Sequence, residues 1–303
     1  MGTPAPTPQP PGYLALANDA AGSVRQRALA DVAGVLAQQG PTELVLTAGP
    51  DDVDAALRSL QGRRPVVVGG DGSLHLVVNR LRSLGLGDIP LGLVPLGTGN
   101  DLARGLELSL EPADAARVAA TGRSLAMPVA TGPALDDVVV NNAHVGVGER
   151  AAQVAAGLKA RLGALAYPMG ALAAGVRPAI DRVEVRVDDR EVYRGDALAV
   201  VVTLGPSAGG GHRIAPDADP ADPNLEVVLL EGGTARSRLA VGATMAVGRD
   251  PRTRPEVHRW TGRRVMVAHP ERADAGWDVD GELLRWTSPV ELAVETAAWH
   301  LVV

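Results

Sequence analysis

Val66-Val67-Val68-Gly69-Gly70-Asp71-Gly72-Ser73 is an apolar run that breaks into three glycines around an aspartate. It is followed by Leu74, Val77, Val78, Leu81 and Leu84 at helical spacing. A run apolar on both faces reads as a strand covered on both sides, and the spacing after it predicts a helix over 73–84. The same grammar recurs downstream, where an apolar run over 91–94 ends in Pro95-Leu96-Gly97-Thr98-Gly99-Asn100-Asp101 and a helix begins at Asp101. Upstream, 13–17 reads as a buried strand. Val24, Ala28, Leu29, Val32, Val35 and Leu36 give a helix over 23–39 that stops at Gly40-Pro41, and 43–47 is a second strand. Val53, Ala56, Leu57 and Leu60 share one face of a helix over 51–61, capped by Asp51 or Asp52. Strands alternating with helices predict an α/β domain on a parallel sheet.

Past Met127 the period changes. Residues 137–141, 182–188, 196–204, 225–230, 263–268, 277–279, 283–286 and 290–294 read as strands, several with the alternation of Val183-Glu184-Val185-Arg186-Val187. Helices near 150–175 and 237–247 interrupt them. The prediction is a disordered Pro-rich tail over 1–12, an α/β domain over 13–125 and a β-rich, antiparallel, sandwich-like domain over 126–303, whose last strand is placed to return to the first.

In a parallel sheet both glycine loops leave the carboxyl edge, where ligands bind. Glycines let backbone N–H groups approach a phosphate, and a helix N-terminus favours the anion. Asp71 is placed to hold Mg²⁺, and Thr98 and Asn100 to donate hydrogen bonds. Each loop alone reads equally well as a tight strand-to-helix turn; the pair, each with an acid, favours a phosphate site. Neither is a Walker loop, and neither has the glycine spacing and ribose acid of an NAD site.

Composition narrows the classes. There is no Cys, which removes disulfides, thiolate catalysis and cysteine-bound zinc. A net charge of −6 gives no global field for nucleic acid or an anionic membrane. Four Trp and three Tyr are too few for a base-stacking surface. Arg161, Arg177, Arg182, Arg236 and Arg238 remain as local clusters. The longest apolar stretch, 162–176, is shorter than the roughly 20 residues of a membrane span, so no transmembrane segment is expected. The tail has no signal-peptide character. The expected location is cytoplasmic, transiently peripheral to the membrane.

Gly69-Gly70-Asp71-Gly72-Ser73 resembles the GGDG[T/S] signature of the diacylglycerol kinase, sphingosine kinase and NAD kinase superfamily. Gly97-Thr98-Gly99-Asn100-Asp101-Leu102-Ala103-Arg104 resembles the GTxND(F/L)xR segment of its lipid-kinase branch, and Asp280-Gly281-Glu282 resembles that branch's DGE segment. Gly209-Gly210-Gly211, Ala215-Pro216-Asp217-Ala218 and Leu225-Glu226-Val227 are similar to its glycine turn and PDAxxDDGxLEV region.

The resemblance implies a two-domain kinase with ATP in its cleft, held by Gly69, Gly70, Asp71, Gly72, Ser73, Gly97, Thr98, Gly99, Asn100 and Asp101, with Asn18 upstream. Arg104 would steady phosphate or cap a helix. Asp71 would engage the catalytic Mg²⁺, Glu282 would take the proton from a lipid hydroxyl, and Asp280 would support it. A structural Mg²⁺ would lie on Asp219, Asp222 and Asn224, with Asp222 the side-chain ligand and the others offering backbone carbonyls; a solvated loop without metal is the open alternative, because Ala221 and Pro223 stand where relatives carry Asp and Gly. Without the resemblance, Asp280-Gly281 is an ordinary hairpin turn.

Departures bear on activity. Asn18-Asp19-Ala20-Ala21-Gly22 stands for NPxSG, Pro128 for an aspartate at the domain junction, and His75 for an Asn after the first signature. His75 reads as a helix-surface histidine, His144 and His212 as loop histidines. Three functions stay open: a lipid kinase, a kinase for a soluble acceptor such as NAD, and a nucleotide-binding relative without turnover. Residues 164–176 and the helix with Leu239, Val241, Ala243, Met245 and Val247 are candidates for an acyl-chain surface or for core. The lipid's identity and the oligomeric state, a homodimer included, are left open.

Overall fold

In a computed structural model, residues 11–18, 23–133, 135–146, 181–208, 211–232, 244 and 253–303 are described. The readings of a tail over 1–10, of 19–22, of Gly209 and Gly210, and of helices at 150–175 and 237–247 lie outside them. The chain forms two compact units. One runs to Pro128 and takes back Thr296–Val303; the other is Val129–Glu295.

The first unit orders β1 (Tyr13–Asn18), α1 (Ser23–Ala37), β2 (Thr42–Thr47), α2 (Pro50–Arg58), β3 (Arg64–Gly69), α3 (Asp71–Ser83), β4 (Gly92–Pro95), α4 (Asp101–Gly105) and α5 (Pro112–Thr121). β5 (Ser124–Thr131) leads on into the second unit. The sheet order is β2-β1-β3-β4, all parallel. β1 and β3 are buried along 13–17 and 64–69, as their two-sided apolar runs require. The strand order reverses between them, which puts a crevice at their carboxyl ends. The chain's last residues close the other side: Leu91 N–H donates to His300 O and Val302 N–H to Leu91 O, each at 2.9 Å, while Arg123 and Val303 exchange two more bonds.

Several expectations are corrected. α3 starts at Asp71, two residues early, so Asp71 and Gly72 belong to its first turn. Gly49, not Asp51 or Asp52, is the N-cap of α2; Asp52 instead reaches back to the N–H of Ala48 at 2.8 Å. His75 is only 2% exposed, because α3 lies against both β3 and α2, and its Nε2 is 3.3 Å from Asn79 Nδ2. Asp54 of α2 is buried and gripped by the Nε and Nη2 of Arg80 of α3, each at 2.5 Å. Those hydrogen bonds hold the Asp54 carboxyl below its usual range against the opposing effect of burial. α5 and β5 had no sequence reading at all.

The second unit contains β6 (Asn142–Gly146), β7 (Asp181–Val187), β8 (Arg190–Thr203), β9 (Ser207–Ala208), β10 (His212–Arg213), β11 (Leu225–Glu231), β12 (Val257–Gly262), β13 (Arg264–Ala268), β14 (Asp274–Val279), β15 (Glu282–Thr287) and the start of β16 (Val290–Val302). The run β15-β14-β6-β8-β7-β13-β16 is antiparallel throughout. β8 pairs with β7 through its first half and with β6 and β11 through its second, and β12 extends β11. With no Phe in the chain, the core is Val183, Val185, Val200, Val202, Val227 and Leu229, filled out by Trp277 and Trp286 at 5.4 Å.

The strand expected at 137–141 is absent. Val139 makes one isolated bridge to Ala130, and the ladder starts at Asn142. The reason is that the N–H groups of Val140 and Asn141 point to a carboxylate rather than to a neighbouring strand. His144 stands on β6 and His212 on β10, so neither is a loop histidine. Burial pushes the His144 imidazole below its usual range, partly opposed by Asp278 directly across the ladder. Among the described residues no helix is long and apolar enough to cross a membrane.

Candidate functional site

In the first unit the two glycine loops share one rim. β3 and β4 pair in register up to Gly69 opposite Pro95, and Leu96 N–H donates to Gly69 O at 2.8 Å. Beyond that bond the backbones touch. A Cβ on Gly97 would stand 2.5 Å from Gly70 Cα, and one on Gly70 2.9 Å from Gly97 Cα. Asp71 ties the loops again by accepting the N–H of Asp101 at 2.8 Å through Oδ1. Ser73 covers Gly69, where any Cβ would come 2.5 Å from Ser73 Oγ. A Cβ on Gly72 would meet nothing within 4 Å. The 13-residue helix α3 therefore opens on clear space, with no side-chain cap on its N-terminus. Its first-turn N–H groups have no carbonyl of their own helix to bond, and its dipole favours an anion there. This cradle fits a phosphate chain. α4, at five residues, adds little.

Asn100 turns inward. Its Oδ1 accepts Gly97 N–H at 2.9 Å and its Nδ2 donates to Gly97 O at 2.8 Å, closing the loop on itself at φ 52°. Asn tolerates that left-handed backbone, so it shapes the loop rather than presenting its amide as expected. Arg104 Nε–H donates to Gly99 O at 2.8 Å, bracing the second loop from α4. Asn18 ends β1 at the same carboxyl edge, opposite Thr47 of β2. Thr98 and Gly99 lie within the second loop.

Gly97→Ala tests the contact between the loops. Forcing a methyl against Gly70 Cα is expected to cost about 1–3 kcal/mol. Gly72→Ala, in a helical turn with open space, is expected to stay within about 1 kcal/mol of the parent or to gain. Urea titration of the two variants compares them.

In the second unit β14 and β15 form a two-residue hairpin over Asp280-Gly281, with φ of 50° and 95°. Asp280 is 5% exposed. Its carboxylate accepts three backbone N–H groups, Val140 at 2.7 Å and Asn141 and Asn142 at 2.8 Å, while its own N–H donates to Asn142 O at 2.9 Å. Asp278 Oδ1 accepts Gly281 N–H at 2.9 Å. Glu282, two residues beyond this anchor, is exposed, and among the described residues nothing engages its carboxylate. The hairpin thus has one acid locked by the fold and one exposed to solvent.

The 219–224 loop shows a different geometry. Asp219 Oδ1 accepts Ala221 N–H and Asp219 O accepts Asp222 N–H, both at 2.9 Å. Ala221 and Pro223 bring no side-chain oxygen, and Asp222 is exposed. Among the described residues no three Asp, Glu, His or Cys side chains converge on a metal position. The donors that the resemblance implies, the Asp222 carboxylate with the backbone carbonyls of Asp219 and Asn224, are oxygens of the kind that magnesium takes together with waters. Sequence reasoning missed Asn141 and Asn142, and also Arg259, whose Nε lies 2.5 Å from Glu226 Oε2. The paired asparagines directly after the apolar run 138–140 were the available signal for the first two; Arg259 had none.

Comparisons with known proteins match both units. The model of the diacylglycerol kinase catalytic domain covers residues 12–131, and that of the YegS C-terminal NAD kinase beta sandwich-like domain covers 141–303. The diacylglycerol kinase of Bacillus subtilis (strain 168) is 30% identical over 232 residues, 76% of this chain and 73% of that one. A protein of Serratia proteamaculans (strain 568) named "Probable lipid kinase YegS-like" is 36% identical over 165 residues, so the match spans about half of each chain, 54% and 53%. A crystal structure of a diacylglycerol kinase from Bacillus anthracis str. Sterne superposes with a TM-score of 0.75 at 20% identity, covering 98% of both chains, which establishes a shared fold.

Proposed function

The chain belongs to the diacylglycerol kinase family, and from that premise we propose that it moves the γ-phosphate of ATP to the hydroxyl of a lipid, with diacylglycerol and phosphatidic acid as the leading substrate and product. One observation carries the reading: the two glycine loops meet backbone to backbone at the carboxyl edge, with Asp71 bonded across them and an open α3 N-terminus alongside.

Phosphoryl transfer is positioning and charge neutralisation. Backbone N–H groups of Gly72 and Ser73 would hold phosphate oxygens, and the glycines let the chain come that close. Asp71, oriented by the Asp101 N–H, is the residue to meet the magnesium that accompanies the nucleotide. That ion, when bound, neutralises charge on the phosphates. Glu282 is the general base for the attacking hydroxyl, and Asp280 positions it by anchoring the hairpin. The lipid is met from the membrane surface, peripherally, in the cytoplasm.

A reading without turnover keeps some support, since Asp19-Ala20-Ala21 lacks the Pro and Ser of the family segment and Pro128 replaces an acid. Pro128 serves the fold, its carbonyl accepting Trp299 Nε1–H at 3.3 Å. The test incubates the chain with γ-labelled ATP, magnesium and detergent-dispersed diacylglycerol, then a total lipid extract, then soluble acceptors including NAD. Label in phosphatidic acid or another lipid, lost in Asp71→Ala, is the expected result. ATP binding with no label in any acceptor would establish the binding-only reading; label in NAD alone would move the assignment to a soluble acceptor.

A further inference from the structure

α3 begins on the first glycine loop and β4 ends in the second, so the segment that joins them, residues 84–91, lies at the far end of both. It is held by the part of β16 that belongs to the first unit. Arg82, in the last turn of α3, donates through Nη1 to Ala298 O at 3.1 Å. Gly87 approaches the same carbonyl so closely that a Cβ on it would stand 2.9 Å from Ala298 O. His300 Nδ1 is 3.4 Å from Gly87 O. Leu91, just before β4, donates to His300 O and accepts the Val302 N–H, both at 2.9 Å, and makes a parallel bridge to Leu301. Leu91 and Leu301 are both fully buried.

We propose that residues 298–302 are a positioning element for the nucleotide, fixing the far ends of α3 and β4 so that the two glycine loops offer phosphate one set geometry. The proposal rests on the reading of those loops as an ATP cradle. α3 has 13 residues, so its two ends are about 20 Å apart. Gly97 stands six residues beyond Leu91, roughly 20 Å along an extended strand. The near ends are tied by Leu96 N–H on Gly69 O, by the Gly70–Gly97 contact and by Asp71 on the Asp101 N–H. A helix tied only there pivots about its first turn, and that turn carries the N–H groups that would meet phosphate. A second tie at the other end removes the pivot. Donors fixed in advance lose less freedom when the ligand binds.

α3 also packs on β3 and α2, so loosening the far tie weakens the cradle without abolishing it. Arg82 and Gly87 lie outside both loops. They are positioning residues, acting on the nucleotide through α3 and β4. Gly87 is the sharper probe. Its backbone is not in the left-handed region, so a methyl there tests the close approach to Ala298 O and nothing else.

The experiment titrates the full chain with ATP and magnesium in a calorimeter, well below the melting temperature, with each variant first shown to be folded by circular dichroism. Gly87→Ala is expected to weaken ATP binding about 3–10-fold and to lower Tm by about 2–8 °C. Arg82→Met removes the bond to Ala298 O without adding bulk and is expected to weaken binding about 2–5-fold, with Arg82→Lys recovering part of it. Arg82→Met stands in if Gly87→Ala does not fold. Val32→Ala is the control. It opens a cavity under α1 in the same unit, where Val32 is 1% exposed, and is expected to lower Tm at least as far while ATP affinity stays at the parent's value. In the transfer assay Gly87→Ala and Arg82→Met are expected to raise KM for ATP and leave KM for the lipid unmoved. Parent-like ATP affinity in both would overturn the proposal, as would an equal loss of affinity in Val32→Ala. A parent chain that binds no ATP would overturn the kinase reading itself, and this proposal with it.

Discussion

Glu282→Gln is expected to lower kcat for lipid phosphorylation by roughly 10²–10⁴-fold while leaving ATP affinity unchanged. Glutamine keeps the size and polarity of the side chain and removes only its ability to accept a proton. Glu282 is exposed at the first position of β15, and among the described residues nothing engages its carboxylate, so its replacement disturbs no fold contact. The glycine loops belong to the other unit and are tied to each other through Asp71 and Gly69, not through Glu282. Single-turnover transfer of labelled phosphate, alongside calorimetric titration with ATP, separates the two effects. A variant that transfers phosphate at the parent's rate would remove Glu282 from the chemistry.

Asp280→Asn should act on stability first and activity second. Three backbone N–H groups converge on the Asp280 carboxylate, and charge-assisted bonds of this kind contribute more than neutral ones. An amide offers one acceptor oxygen and turns an N–H₂ toward donors. The expected cost is about 2–4 kcal/mol, or a Tm lowered by roughly 5–15 °C. Asn is the informative replacement because Asn-Gly is the preferred pair for a hairpin turn with positive φ at both residues. The turn therefore keeps its backbone, and the loss reports the carboxylate alone. Hydrogen exchange at Val140, Asn141 and Asn142 is expected to accelerate together. Unchanged protection at those amides would show that Asp280 is not what holds the segment.

These two acids show how far the sequence could be read. Asp280-Gly281 was legible as a hairpin, since its turn chemistry is local. Its grip on residues 140–142 was not, because the partners are about 140 positions away and their own pattern suggested a strand. His75 was misread for a related reason. A lone polar residue on an amphipathic helix is assigned to the wet face, whereas α3 is covered from two directions. The period of α1, α2 and α3 and the buried runs of β1 and β3 were plain, because each repeats within a few residues.

What the sequence determined by itself is whatever follows from neighbouring residues: which runs are strands, where glycines cluster at a strand's end, and which acids stand beside those turns. Only the tertiary structure decided that Gly70 and Gly97 touch, that β16 ends beside β4, that Asp280 is an anchor while Glu282 stands free among the described residues, and that Arg259 bridges two carboxylates. Periodicity and turn chemistry are written into adjacent side chains. A charge pair or a backbone contact across a sheet depends on register between distant segments, which no short stretch of chain encodes.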